Sequence, residues 1–234
     1  MIIRTIIFYT LLCFWTLFLG VLCLPFLVFP RKYLKNPVLL WIKVIFILLK
    51  SICKITHEIR GLNNIPNEPV IIISKHQSAF ETFALFYYFK NSFFIHKKQL
   101  FYIPIFGQYL WKSNMVSIDR AGGAKTMRKK IIKETKKHMD DGSSVIIFPE
   151  GTRKKPGADP NYKTGFIGIY NEVNRKLLPI GLNSGLFWPK KPLILKKGHI
   201  IIDIQNTIEA NLNKKEVLER VQNSIESATN KLLI

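Results

Sequence analysis

The first thirty-one residues contain a long uncharged segment, which limits the kinds of structure that this chain can adopt. Between Arg4 and Arg31 there is no charged side chain, and Leu, Phe, Ile, Val and Trp dominate. At about 1.5 Å per helical residue, such a stretch can cross the roughly 30 Å hydrocarbon core of a bilayer. No small-residue cleavage site follows it, so we do not expect a cleaved signal peptide. The basic residues that begin at Arg31 place the rest of the chain on the cytoplasmic side under the positive-inside rule.

A second apolar stretch covers residues 38–55 and carries Lys43 and Lys50. Because these lysines are seven positions apart, they share one face of a helix. That pattern favours a helix lying in the membrane interface over a second span. A hairpin that dips into one leaflet is the alternative for the whole segment. We therefore predict a membrane anchor over residues 1–55, either a transmembrane helix or a hairpin plus an interfacial helix, and a second domain over residues 56–234.

Short apolar runs alternate with helical patterns in the second domain. This alternation is typical of a mostly parallel sheet with helices on both faces. The predicted fold class is therefore α/β, with a mostly parallel sheet flanked by helices behind an N-terminal membrane-embedded helix or helical hairpin. The predicted strands are 69–74, 92–96, 115–118, 144–148, 177–182 and 199–205, and the predicted helices lie near 79–90, 123–140, 165–175 and 213–232.

One histidine follows a predicted strand and has an acid five residues further on. Of the five histidines, only His76 has such a setting, with Glu81 in the first turn of the next helix. Positions five apart on a continuous helix are rotated by about 140° from each other, so contact between them requires a bend. At a strand-to-helix turn the carboxylate could hold the imidazole as a general base. A capping box, with Ser78 as N-cap and Glu81 at the third helical position, explains the same residues about equally well.

A second motif, Phe148 to Arg153, follows the predicted strand 144–148. Ligands of open α/β sheets bind beyond the carboxyl ends of the strands, so this turn and His76 can face one crevice. Arg153 can grip a phosphate with two parallel hydrogen bonds, and Gly151 lets the backbone approach closely. An ordinary turn followed by a solvated charge run is the simpler interpretation of each residue alone.

These segments together resemble the glycerolipid acyltransferase family, specifically the 1-acylglycerol-3-phosphate (lysophosphatidic acid) acyltransferases. The segment from His76 to Glu81 resembles the family's His-x4-Asp motif, with Glu where the pattern usually has Asp. Phe148 to Arg153 matches the third block. Other similar segments follow in the same order along residues 60–200: Ile103 to Gly107, Ser117 to Arg120, Lys163 to Gly165 and Leu178 to Ile180.

The resemblance implies a mechanism and a set of roles. His76 would take the proton of a lysophospholipid hydroxyl that attacks an acyl thioester, and Glu81 would hold the imidazole. The implied substrate-binding residues are Arg120, Glu150, Gly151, Thr152 and Arg153, with the two arginines on the phosphate. No bound cofactor is expected, and acyl-CoA or an acyl carrier protein would be the co-substrate. The predicted helix 79–90 is apolar nearly all round, which is typical of a core helix but would also suit the wall of an acyl-chain tunnel.

The formal net charge of +20 indicates anionic partners. Membrane lipid headgroups, coenzyme A phosphates and the acidic surface of an acyl carrier protein all fit. The positive charge alone would also fit a nucleic-acid partner. No nucleic-acid-binding motif accompanies the charge, so we do not expect the protein to bind nucleic acid. The three cysteines favour neither a disulfide framework nor a metal site, and no serine has a nucleophile-elbow context. The alternatives are an acyltransferase for another lysolipid and, more distantly, a non-enzymatic basic membrane protein that binds anionic lipid or nucleic acid.

Overall fold

One sheet organises the chain from residue 55 to residue 204. The computed structural model describes residues 1–113, 115–118 and 123–233, and within them seven strands pair in the order β1-β7-β6-β2-β5-β3-β4. The strands are β1 (Ile55–Arg60), β2 (Ile71–Ser74), β3 (Ser92–Lys97), β4 (Val116–Ile118), β5 (Ser144–Ile147), β6 (Leu177–Leu182) and β7 (Gly198–Ile204).

The strand pairs are parallel except for one, β6 with β7. In β2, Ile72 points into one core cluster while Ile71 and Ile73 point into another, so both faces of this central strand are buried. Burial on both faces explains why the strand is a continuous apolar run. The predicted mostly parallel sheet flanked by helices is confirmed. Strand β1 was not predicted, because its sequence begins where the second apolar stretch ends.

Helices cover both faces of the sheet. They are α3 (Phe80–Tyr88), α4 (Phe106–Lys112), α5 (Ala124–Asp140), α6 (Gly165–Val173) and α7 (Lys214–Lys231). The four helices predicted in this domain correspond to α3, α5, α6 and α7, whereas the short α4 was not predicted. Helix α3 packs in the cluster on one face, and α6 and α7 contribute to the cluster on the other.

The N-terminal segment is a hairpin of two antiparallel helices, α1 (Ile2–Leu22) and α2 (Lys35–Leu48), the second extended by a π-helical segment, Leu49–Cys53. Near the middle, Nε1 of Trp41 donates to Oγ1 of Thr16 at 3.0 Å. At the base, Sγ of Cys53 lies 3.9 Å from the carbonyl oxygen of Arg4. The two helices form a hairpin, and whether they span the membrane or lie within one leaflet stays a prediction.

The base of the hairpin is joined to the sheet domain. Phe8 is fully buried, and Nε1 of Trp188 donates to the Tyr9 hydroxyl at 3.0 Å. The backbone N–H of Leu195 donates to Oγ1 of Thr5 at 3.1 Å. The N-terminus of α1 therefore lies beside the domain instead of leading away from it. The predicted boundary between residues 55 and 56 stays a prediction, since β1 continues directly from the hairpin.

The outer part of the hairpin is apolar and exposed. By length and composition, the segments Ile2–Leu22 and Arg31–Cys53 could each cross a membrane. Large exposed apolar patches on a protein indicate a membrane or protein contact. The exposed apolar side chains include Ile3, Phe14, Leu17, Phe18, Val28 and Phe29. The protein therefore associates with membranes through this hairpin.

Candidate active site

Two neighbouring strands bring the predicted site residues together. Strands β2 and β5 are parallel partners with Ile73 opposite Ile147, so the residues that follow each strand lie side by side. The imidazole of His76 stacks on the ring of Phe148, with ring centroids 4.0 Å apart and an interplanar angle of 15°. The two motifs that the sequence placed at separate strand ends therefore share one site.

The His76 imidazole is held by the predicted acid. Nδ1 of His76 lies 2.9 Å from Oε1 of Glu81, and the Glu81 side chain is fully buried. A carboxylate can only accept, so this contact places the proton on Nδ1 and leaves Nε2 as the basic nitrogen. Among the described residues, none makes a hydrogen bond to Nε2. That nitrogen is therefore available to a substrate hydroxyl.

Glu81 also accepts hydrogen bonds from the turn before its helix, so one carboxylate makes the contacts that both interpretations of the sequence require. The Oε1 atom that meets His76 also accepts the backbone N–H groups of Gln77 and Ser78, each at 2.6 Å. The second oxygen, Oε2, accepts the hydroxyl of Ser184 at 2.7 Å. These hydrogen bonds fix the carboxylate from several directions. Ser184 had no predicted role in this network, because more than a hundred residues separate it from Glu81.

Glu150 points away from solvent and toward the backbone of His76. Its Oε2 accepts the His76 backbone N–H at 2.9 Å, and its Oε1 lies 2.9 Å from Nζ of Lys75. Neither Glu150 nor Lys75 exposes more than 2% of its side chain. Glu150 is not among the residues that line the cavity beside His76. Lys75 was not singled out in the sequence, although it lies between a predicted strand and His76.

The other residues of the predicted phosphate-binding turn lie at the surface. Gly151 adopts a φ of +66°, which favours glycine, and it lines the cavity beside His76. Thr152 is exposed, and its Oγ1 accepts Nζ of Lys190 at 3.1 Å. Arg153 is half-buried, and it is not among the residues that line the cavity beside His76. Arg120, the second predicted arginine, lies outside the described residues.

A cavity of about 550 Å³ opens next to His76. Its walls are mainly aliphatic and aromatic side chains between the sheet, α5 and α6, including Ile131, Ile147 and Phe166. Three cationic side chains also line it: Lys97, Arg128 and Lys163. Lys97 was not predicted to belong to the site, although it is the last residue of β3 and so lies at a strand end. The site thus combines a base, an apolar wall and positive charge.

Helix α3 does not line this cavity. Phe80, Ala84 and Leu85 are fully buried in the cluster on the hairpin side of the sheet. Of the two predicted uses of this apolar helix, the structure therefore shows the core helix. The cavity lies on the opposite face, where α5 and α6 cover the sheet.

Two other histidines, the half-buried His57 and the buried His96, differ from His76 in their partners. Nε2 of His57 lies 2.8 Å from the Tyr88 hydroxyl, and Nδ1 of His96 lies 3.0 Å from the Lys97 carbonyl. Burial lowers the pKa of both His57 and His96, because it disfavours the charged imidazolium. Neither is paired with a carboxylate, and neither lines the cavity. Among the described residues, no group of three or more His, Cys, Asp or Glu side chains could hold a metal ion.

Comparison with known proteins identifies the family. A family model described as Acyltransferase matches residues 56–183, and this range contains both motifs of the site. The chain belongs to the Acyltransferase family. It is 36% identical over 191 residues to a 1-acyl-sn-glycerol-3-phosphate acyltransferase of Pseudomonas aeruginosa, an alignment that covers 80% of this chain and 74% of that protein.

More distant members of the Acyltransferase family are similar to this chain over part of their length. A chloroplastic 1-acyl-sn-glycerol-3-phosphate acyltransferase of Arabidopsis thaliana is 30% identical over 165 residues, covering 69% of this chain and 45% of that one. The chain therefore spans about half the length of this plant relative. The crystal structure of the 1-acyl-sn-glycerophosphate (LPA) acyltransferase of Thermotoga maritima matches the fold with a TM-score of 0.79 at 22% identity, covering 99% of this chain and 95% of that one.

Proposed function

We propose that this member of the Acyltransferase family transfers an acyl group from an acyl thioester to the free sn-2 hydroxyl of lysophosphatidic acid. The product is phosphatidic acid, a precursor of membrane phospholipids. The observation that carries the proposal is the buried Glu81 carboxylate holding His76 beside a cavity with apolar walls and cationic side chains. The bacterial and plant relatives are 1-acyl-sn-glycerol-3-phosphate acyltransferases, which supports the same acceptor.

His76 acts as the general base. Nε2 takes the proton of the acceptor hydroxyl as its oxygen attacks the thioester carbonyl, and Glu81 stabilises the imidazolium that forms. When the tetrahedral intermediate collapses, the C–S bond breaks and the imidazolium returns the proton to the departing thiolate. No acyl-enzyme and no cofactor enter these steps. General-base catalysis of this kind contributes roughly 10²–10⁴ in rate, and positioning of the two substrates supplies much of the rest.

The shape and charge of the cavity suit a lipid with one acyl chain and one phosphate. The apolar walls can receive the chain, the cations can receive the phosphate, and His76 lies among these residues. Ligand sites of this kind commonly measure about 300–1,000 Å³ and combine apolar walls with a few polar groups. The same features would admit another lysolipid with a phosphate headgroup, which is the alternative acceptor.

The acceptor phosphate is held by cations around the turn after β5. Lys163 packs against this turn, since its backbone N–H donates to the Pro149 carbonyl at 2.7 Å. Lys97 approaches from the end of β3, and Arg153 belongs to the turn itself. Thr152 offers a hydroxyl, whereas the Gly151 backbone N–H already donates to the Phe148 carbonyl at 3.0 Å, so Gly151 contributes close approach of the backbone. Arg120 stays a predicted ligand. Glu150 does not contact the phosphate; it orients His76 by accepting the hydrogen bond of the His76 backbone N–H.

The hairpin places this chemistry at a membrane. Its exposed apolar side chains enter the bilayer, and the catalytic domain faces the cytoplasm. The excess of positive charge supports a cytoplasmic location of the catalytic domain, because anionic lipids of the cytoplasmic leaflet attract basic residues by about 1 kcal/mol each. The acyl donor, either acyl-CoA or an acyl carrier protein, reaches the site from the aqueous side.

The reaction is tested with the detergent-purified full chain, labelled acyl donor and lysophosphatidic acid. We expect labelled phosphatidic acid, since the base and the cavity suit this acceptor. Parallel assays with acyl-CoA and acyl carrier protein identify the donor, and assays with lysophosphatidylethanolamine and lysophosphatidylglycerol identify the acceptor class. Turnover of these lysolipids without turnover of lysophosphatidic acid would replace the proposed acceptor. Lipid binding without turnover of any of them would favour a non-enzymatic membrane protein.

Alanine variants of Lys97 and Arg153 test the phosphate site. Each variant should raise KM for lysophosphatidic acid about tenfold or more, because a charge-assisted hydrogen bond to phosphate contributes roughly 1.5–3 kcal/mol. The KM for the acyl donor should change little. The matched control is Lys215→Ala, which removes an exposed lysine of α7 outside the cavity. A rise in donor KM alone would assign these cations to the donor phosphates.

A further inference from the structure

A buried cation lies directly behind the proposed base. Lys75 exposes only 1% of its surface, yet a lysine is rarely fully buried unless it is paired. Its Nζ lies 2.9 Å from Oε1 of Glu150 and 2.7 Å from Oε1 of Glu226. Tyr162 donates its hydroxyl to the same Glu226 oxygen at 2.7 Å. Lys75 thus links the turn after β5 to helix α7.

Burying the charges of Lys75 and Glu150 has a high free-energy cost if the pair serves only to support the fold. Removing a lysine and a carboxylate from water costs more than their attraction commonly returns, and an apolar side chain of similar volume would pack as well. Orientation of a neighbouring group is one role that would compensate for this cost. The group that Lys75 orients is Glu150, whose other oxygen accepts the His76 backbone N–H at 2.9 Å. The backbone of His76 in turn sets the imidazole against Phe148 and Glu81.

We propose that Lys75 and Glu226 are positioning residues for the His76 base. The chain Glu226–Lys75–Glu150 ties the C-terminal helix to the His76 backbone, and it sets the electrostatic potential at the imidazole. Lys75 neutralises one carboxylate behind His76, and Glu226 fixes the lysine in that place. Glu226 lies beyond residues 56–183, the range that the family model matches, so α7 completes the site from outside that range. The inference rests on the proposed role of His76 as the base.

The proposal predicts opposite effects of the two charges on the His76 titration. Lys75→Met removes a positive charge, which favours the imidazolium form of His76. Glu226→Gln removes a negative charge, which disfavours the imidazolium to a smaller extent, because Glu226 reaches His76 only through Lys75 and Glu150. A base must be neutral to accept a proton, so the acid limb of the kcat profile should move to higher pH in Lys75→Met and to lower pH in Glu226→Gln. Both variants keep the other charged residues around His76: Glu81, Glu150, Lys97, Arg128 and Lys163. In Lys75→Met the buried Glu150 loses its cation, so Glu226→Gln, which keeps Lys75 beside Glu150, is the cleaner of the two measurements.

Steady-state kinetics supply the second measurement. Lys75→Met should lower kcat about 10-fold to 100-fold, since a small displacement of a catalytic group costs this much. Glu226→Gln keeps the size of the side chain at a partly exposed position, so it should fold normally and lower kcat by about threefold or more. The KM for lysophosphatidic acid should stay within about threefold of wild type in both, because neither residue lines the cavity. The matched control is Lys176→Met, which breaks a surface ion pair with Glu209 of 3.1 Å.

The titration of His76 is followed by NMR of the labelled full chain in detergent, with His76→Gln to assign the signal. Shifts of opposite sign in the two variants, and none in Lys176→Met, support the proposal. An unchanged His76 pKa with unchanged kcat would overturn it, even if the thermal unfolding temperature falls, and would leave Lys75 as a structural ion pair. The titration needs no substrate. If wild type makes no phosphatidic acid, the proposed function fails while the positioning of His76 is still tested.

Discussion

Replacement of His76 by alanine is expected to abolish phosphatidic acid formation without unfolding the chain. The imidazole supplies the basic nitrogen beside the cavity, and its loss should lower kcat by roughly 10²–10⁴. The carboxylate of Glu81 cannot take over, because its oxygens already accept hydrogen bonds from backbone amides and Ser184. His76→Ala removes the ring stack on Phe148 and the contact with Glu81, but Glu81 keeps its backbone and Ser184 partners, so the chain should stay folded with a modest loss of stability.

A second histidine–glutamate pair supplies a matched control for this experiment. On the sheet edge, Nε2 of His199 lies 3.4 Å from Oε2 of Glu58, and both side chains are exposed. His199→Ala also removes an imidazole that is paired with a glutamate, but this pair lies outside the cavity. The His199→Ala variant should therefore retain wild-type turnover. The measurements are initial rates with saturating substrates and thermal unfolding of both variants. If His76→Ala retains more than about a tenth of the wild-type rate, another group is the base.

Most of the fold could be predicted because local sequence determined it. The strand at 71–74 is a continuous apolar run because both of its faces are buried, and the other predicted strands follow the same logic. The His76–Glu81 contact was predictable for the same reason, since both residues belong to one turn. The same Glu81 oxygen accepts the backbone N–H groups of the turn and contacts His76, so the capping contact and the His76 contact coexist, while the catalytic role stays a prediction.

The features that escaped prediction depend on contacts between distant parts of the chain. Glu226 and Ser184 reach the site from elements that lie far along the sequence, and nothing near them marks their partners. Strand β1 pairs with β7, nearly 150 residues later, so its role depends on the completed sheet. A hairpin was one of the predicted anchors, but the contact of Trp41 with Thr16 inside it is not encoded by hydropathy. Lys75 looked like one more lysine in a strongly basic chain.

Glu81 should give the largest combined loss of activity and stability. Glu81→Ala removes the acceptor of two backbone N–H groups and of the buried Ser184 hydroxyl. Each buried group left without a partner costs about 1–3 kcal/mol, so the free energy of unfolding should fall by roughly 3 kcal/mol or more. Glu81→Gln keeps the shape but loses the negative charge that stabilises the imidazolium. Its kcat should fall about 100-fold or more, with a smaller loss of stability.

Glu81→Asp tests whether this site is built for the longer carboxylate. The resembling family pattern usually has Asp at this position, so aspartate alone is compatible with the chemistry. Here, however, Oε1 meets His76 and two backbone amides while Oε2 meets Ser184, and removing one methylene withdraws the carboxylate from both sides by about 1.5 Å. We expect kcat to fall about tenfold and the unfolding temperature to drop, whereas Ser184→Ala should lose stability with most of its kcat retained. An Asp variant as active as wild type would show that the surrounding turn adjusts to either acid, and that the length of Glu81 serves the helix cap alone.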